Sequence, residues 1–195
     1  MSAPITNEDK HTLLHLAREA ITAAVNNRPL NRPELDRLPA SLARTGACFV
    51  TLLRRGELRG CIGGLEAALP LAYDVQEHAA QTALYDYRFP SVAPAEVDDL
   101  EIQLSVLTEP QPLPYRDAAD LLRLLRPGVD GVILLKGRRR ATFLPQVWER
   151  VPDTADFLSL LCQKMDVPED EWRKGTLEVR TYQAEKFTEH EFGRG

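Results

Sequence analysis

The sequence predicts an α+β fold built from two halves, about 1–110 and 111–195, each reading α-β-β-α-β. Three observations carry this. An amphipathic helical stripe opens the chain. Two apolar hairpins follow later, each turning on a charged, glycine-containing tip. Each half then ends on a run of alternating apolar and polar residues. The resulting sheets are expected to be antiparallel or mixed, with helices packed on them, and either to merge or to face each other across a groove.

The elements follow in order. Thr6 can cap the first helix, with Asp9 three residues on. Leu13, Leu14, Ala17, Ala20, Ile21, Ala24 and Val25 recur at helical spacing, and Asn26-Asn27-Arg28-Pro29 stops the run. Ala47 to Leu53 and Leu58 to Gly63 form a hairpin around Arg54-Arg55-Gly56-Glu57. Pro70 suits the first turn of a second helix, which runs to about Leu84. Leu100, Ile102, Leu104 and Val106 alternate with Glu101, Gln103 and Ser105, the pattern of a half-buried strand.

The second half repeats the order. A helix covers about Arg116 to Leu125. A hairpin turns at Lys136-Gly137-Arg138, Asp153 caps a helix carrying Phe157, Leu158 and Leu161, and Leu177 to Gln183 is the last strand. The polar segment from Glu185 to the C-terminus is expected to fray.

Composition narrows the function. The 195 residues carry a net charge of −5, with 44% apolar and 27% charged residues. That is ordinary globular usage, and its acidity argues against a nucleic-acid partner. No apolar run approaches the roughly 18 residues of a membrane span. The N-terminal Met1-Ser2-Ala3-Pro4 lacks the basic and apolar regions of a signal peptide. Three cysteines, Cys48, Cys61 and Cys162, form no CxxC pair, so the expectation is a reducing, cytoplasmic setting with no disulfide framework and no metal cluster. No P-loop, Rossmann fingerprint, GxSxG elbow or HExxH is present, and no cofactor is expected.

The segment that stands out is Leu58-Arg59-Gly60-Cys61-Ile62-Gly63-Gly64. Strand alternation puts Arg59, Cys61 and Gly63 on one face. A guanidinium beside a thiol favours a reactive or anion-facing thiolate, and flanking glycines leave room for a ligand or another backbone. The alternative is a packed thiol beside a glycine bulge, with Arg59 pairing a carboxylate. His78, with Asp74 one turn earlier, is a candidate base for Cys61 if its helix crosses the hairpin. Asp86 and Arg88, among Tyr85, Tyr87 and Phe89, offer a carboxylate and a guanidinium at a site mouth, or an ion pair pinning a loop. Glu101, Gln103 and Ser105 share a strand face. The candidate set is Cys61 and His78 for catalysis, with Arg59, Gly60, Gly63, Asp86 and Arg88 for ligand binding.

Residues 58–63, Leu-Arg-Gly-Cys-Ile-Gly, match the signature hexapeptide of the AMMECR1 domain family. The resemblance continues through Pro70-Leu71, Asp86 to Pro90, Leu104 to Thr108, Gly131-Val132, Phe143 to Val147, Phe157-Leu158, Cys162 to Lys164 and Trp172. It departs at Tyr87 and Ser91, where prolines are expected, at Gln103, often a carboxylate, and at Met165-Asp166. The resemblance implies an α+β fold with two subdomains and a cleft, and no settled biochemical activity. It also implies membership of a modification system whose other components are a Memo-like protein and a radical-SAM protein. The chain has no CxxxCxxC run, so it is not the radical-SAM component.

Overall fold

A computed structural model describes residues 5–192. Helix α1 (Asn7–Val25) opens on the expected capping box, with Thr6 Oγ1 accepting from Asp9 N–H and the Asp9 carboxylate accepting from Thr6 N–H. A short turn of helix, α2 (Ala40–Ala43), leads to β1 (Thr45–Gly46). The hairpin β2 (Cys48–Arg54) and β3 (Glu57–Gly63) follows, then β4 (Leu69–Pro70), α3 (Leu71–Tyr85) and β5 (Leu100–Leu107). Arg55 and Gly56 both take positive φ, the conformation a two-residue hairpin turn demands. Later in the chain come β6 (Gln111–Pro112), α4 (Ala118–Leu124), β7 (Gly131–Lys136), β8 (Arg139–Phe143), α5 (Thr154–Lys164) and β9 (Glu178–Tyr182). The chain closes with β10 (Ala184–Thr188) and α6 (Glu189–Phe192).

The chain forms two compact units. Among the described residues, one holds 5–107 together with 185–192, and the other runs Thr108–Ala184. Each contains a four-stranded sheet, ordered β10-β5-β2-β3 in the first and β6-β9-β7-β8 in the second. In both, the hairpin's first strand lies between its second strand and the strand that follows the second helix. The α-β-β-α-β order therefore recurs with the same strand arrangement.

The units do not divide at 110/111 into consecutive halves. The C-terminal segment, expected to fray, adds β10 to the first sheet. Phe187 is buried in that unit's core, and the Glu189 carboxylate accepts from Arg18 and from the Ile102 N–H. The apolar anchor of Phe187 ties the polar segment down, and the Glu189 carboxylate satisfies the Ile102 N–H on the strand beside it.

In the first unit, α1 and α3 pack on one face of the sheet. Val50, Leu52, Leu100, Ile102 and Leu104 point into that layer against Leu13, Ala17, Ile21, Val75 and Ala79. In the second, Trp148 and Phe157 stack 3.6 Å apart between ring centroids, with Phe143 edge-on to Phe157. Among the described residues no helix is long and apolar enough to cross a membrane.

Candidate functional site

The 58–63 segment is the edge strand β3 of the first sheet. Its register with β2 pairs Gly63 with Phe49, Ile62 with Val50, Cys61 with Thr51 and Gly60 with Leu52, then slips, so that Leu53 faces Leu58. The extra residue is Arg59. A bulge of this kind breaks side-chain alternation. Arg59 accordingly does not serve Cys61. Its guanidinium pairs with Glu96 and donates to the Pro90 carbonyl at 2.9 Å. Arg59, the Ala93 N–H and Arg54 hold the Glu96 carboxyl below its usual range. The alternative weighed for Arg59, a carboxylate partner, is what the geometry gives.

Arg88 takes the place beside Cys61 that the sequence offered to Arg59. Because β3 is an edge strand, the Cys61 N–H and C=O point away from β2 with no strand to receive them. The turn after α3 supplies both partners. Asp86 Oδ2 accepts from Cys61 N–H at 2.8 Å, and Arg88 Nη2 donates to the Cys61 carbonyl at 3.1 Å. The two side chains are locked to each other, Arg88 Nε to Asp86 Oδ1 at 2.9 Å and Nη2 to Oδ2 at 2.7 Å. Such a bidentate fork fixes both groups. Arg88 holds the buried Asp86 carboxyl well below the usual carboxylate range, with the Cys61 and Arg88 N–H groups adding to it. Asp86 in turn raises the Arg88 guanidinium further. Arg88 Nη1 makes no hydrogen bond among the described residues, and the side chain remains 43% exposed.

Cys61 is half-buried, on the face of the sheet turned away from α1 and α3. Thr51 Oγ1 donates to its Sγ at 3.3 Å. Thr51 in turn sits opposite Gln103 on β5. Cys61, Thr51 and Gln103 thus form a polar row across three strands. Sequence reasoning missed Thr51, because its partner is fixed only by the hairpin register.

The glycines have structural work. A methyl on Gly60 would lie 3.0 Å from Thr82 Cγ2 and 3.1 Å from the Thr82 carbonyl oxygen, where β3 crosses α3. A methyl on Gly63 would fall 2.5 Å from Phe49 Cα and closer still to the Cys48 carbonyl oxygen. The space beside their Cα atoms is taken by Thr82 and by the β2 backbone, so Gly60 and Gly63 are positions of close packing.

His78 also departs from expectation. It lies on α3, which packs on the face opposite Cys61, and no hydrogen bond joins the two. Strand alternation instead brings Cys48 to it: the Cys48 Sγ stands 4.0 Å from His78 Nδ1. Asp74 Oδ2 lies 3.2 Å from the same nitrogen and accepts from Cys48 N–H at 2.9 Å. The hydrogen bond that His78 donates to Asp74 raises the His78 pKa against the opposing effect of burial. Burial, reinforced by Asp74, pushes the Cys48 thiol well above its ordinary value. The i,i+4 spacing of Asp74 and His78 was visible in the sequence. Cys48 as third member was not.

A family model described as AMMECR1 matches residues 14–187, nearly the whole chain. The chain belongs to the AMMECR1 family. Two archaeal relatives of this AMMECR1 chain carry only the name "Protein". That of Methanothermobacter thermautotrophicus is 39% identical over 189 residues, covering 96% of this chain and 97% of the relative. That of Thermofilum pendens is 36% identical over 200 residues, covering 95% and 92%. The crystal structure of the uncharacterized protein PH0010 from Pyrococcus horikoshii superposes with a TM-score of 0.81 at 32% identity, covering 94% of this chain and 93% of that one. The α+β architecture of the AMMECR1 chain is thus that of a solved relative.

Proposed function

We propose that this AMMECR1 protein is the ligand-binding component of a modification system. In this reading it takes an anionic group at the exposed edge of Arg88, against the Cys61 thiol and the Thr51–Gln103 row. One observation carries the reading. Arg88 is fixed by Asp86 and by the Cys61 carbonyl, yet among the described residues Nη1 is unpaired, and the side chain is 43% exposed. A guanidinium immobilised through one edge pays little further entropy to hold a carboxylate or phosphate on the other. Recognition is favoured over base-activated nucleophilic attack, because the thiol is bonded by the Thr51 hydroxyl and the one carboxylate at Cys61, Asp86, is already held by the Cys61 N–H and by Arg88. The family resemblance supports Memo-like and radical-SAM proteins as the system's other members.

A second reading, in which the hexapeptide is a structural strand junction, has the packing at Gly60 and Gly63 in its favour. The two divide by residue: the glycines let β3 seat, and Cys61 with Arg88 presents the binding edge.

Titrating ¹⁵N-labelled protein with inorganic phosphate and with acetate tests the proposal. Saturable shifts of the Cys61 amide and the Arg88 Nε–H resonances are expected, and Arg88→Gln should abolish the shift at Cys61. Absence of shifts at both residues, or shifts at Cys61 that persist unchanged in Arg88→Gln, would reject it.

A further inference from the structure

We propose that Cys48, Asp74 and His78 form a binding site for one thiophilic divalent transition metal, with zinc the best-fitting ion. Three donors of different chemistry converge from two elements. Asp74 and His78 stand one turn apart on α3, and Cys48 opens β2. Nδ1 lies 3.2 Å from Asp74 Oδ2 and 4.0 Å from Cys48 Sγ, and all three donor atoms fall within 4.8 Å of one another. Tetrahedral zinc holds nitrogen and oxygen near 2.0–2.2 Å and sulfur near 2.3 Å, which separates neighbouring donors by roughly 3.3–3.6 Å. The nitrogen–oxygen pair already has this spacing, the sulfur–nitrogen pair needs a contraction of about 0.5 Å, and the sulfur–oxygen pair one of at most about 1.2 Å, within reach of a χ1 adjustment at Cys48.

The donor set selects the metal. A thiolate with an imidazole suits zinc and its neighbours, whereas magnesium and calcium require oxygen ligands. The Cys48 N–H on Asp74 Oδ2 orients the carboxylate, the kind of outer contact that fixes a metal ligand. Cys48 is fully buried and Asp74 is 4% exposed, so the strand side is closed. The least enclosed donor is His78, whose side chain is 16% exposed. There Gly64 carries no side chain, and a methyl on it would approach His78 Cε1 to 3.4 Å. Three protein ligands and one open position are the arrangement of a zinc that binds water or an external ligand. The site shares no residue with the Arg88 edge, so either reading can fail without the other.

Cobalt(II) titration of the purified, chelator-free chain is the test. One equivalent should produce thiolate-to-cobalt charge transfer in the near ultraviolet and tetrahedral d–d bands in the visible, both displaced by zinc. Cys48→Ala should remove the charge-transfer band, and Cys61→Ser should keep it. His78→Gln, at a position near the surface, should weaken cobalt binding at least tenfold while the fold is retained by circular dichroism. The proposal is overturned if no charge-transfer band appears, if the band survives Cys48→Ala, or if His78→Gln binds cobalt like the wild type.

Discussion

Gly63→Ala is expected to destabilise the first unit by at least about 3 kcal/mol, the severe end of overpacking. The added methyl would meet the Cys48 carbonyl oxygen and Phe49 Cα, both backbone atoms of β2. β2 is bonded on its other side to β5, so it has nowhere to retreat without disturbing the sheet. Gly56→Ala is the control. Gly56 has φ +81° and nothing within 4 Å of the added atom, so only the left-handed backbone penalty of about 1 kcal/mol applies. Urea midpoints of the two variants measure the difference. Equal midpoints would show that β3 does not seat against β2 as described.

Asp86→Ala is expected to cost about 2–3 kcal/mol at neutral pH. The change leaves the Cys61 N–H without its acceptor and releases the Arg88 guanidinium. Arg88 is partly exposed, so solvent recovers part of its charge and keeps the figure below that of a fully buried pair. The pH dependence has a definite sign. The carboxyl is held below its unfolded value of about 3.9, so its stabilisation is complete above that pH. It is lost progressively as pH falls below that value toward the depressed folded pKa. The gap between wild type and Asp86→Ala should therefore be constant from pH 8 to about pH 5 and narrow by pH 3. A gap that widens in acid would contradict the assignment of Asp86 as the charged partner.

The parts of this fold that the sequence made legible are the local ones. The Thr6 cap, the Arg55-Gly56 turn and the Asp153 cap each depend on a few consecutive residues, and each lies where it was expected. The strand periodicity of Leu100 to Val106 follows from one buried face and was equally readable. What escaped depends on register and packing. A single bulge at Arg59 exchanged the guanidinium beside Cys61, replacing Arg59 with Arg88 from a turn far along the chain. The face on which α3 packs decided that His78 meets Cys48 and not Cys61. Neither choice leaves a mark in the composition of the segment itself. The C-terminal return was signalled only by Phe187 and Glu189 within a polar stretch.

The loop after α3 therefore does two things with one pair of side chains. Asp86 and Arg88 satisfy the open edge of β3, as a neighbouring strand would, and they leave Arg88 Nη1, unpaired among the described residues, beside the half-buried Cys61. Anionic recognition at Cys61 is the central consequence. Its most direct measurement is the rate of Cys61 alkylation by iodoacetate relative to iodoacetamide on the native chain, read by peptide mass spectrometry. Both reagents consume the same thiolate, so the ratio isolates the charge of the surroundings. The buried Cys48 and Cys162 serve as unreactive internal references. The wild-type ratio should exceed that of Arg88→Gln by about fivefold, the factor given by roughly 1 kcal/mol of attraction between one guanidinium and one carboxylate. Equal ratios in the two proteins, or a Cys61 inert to both reagents until unfolding, would contradict the account.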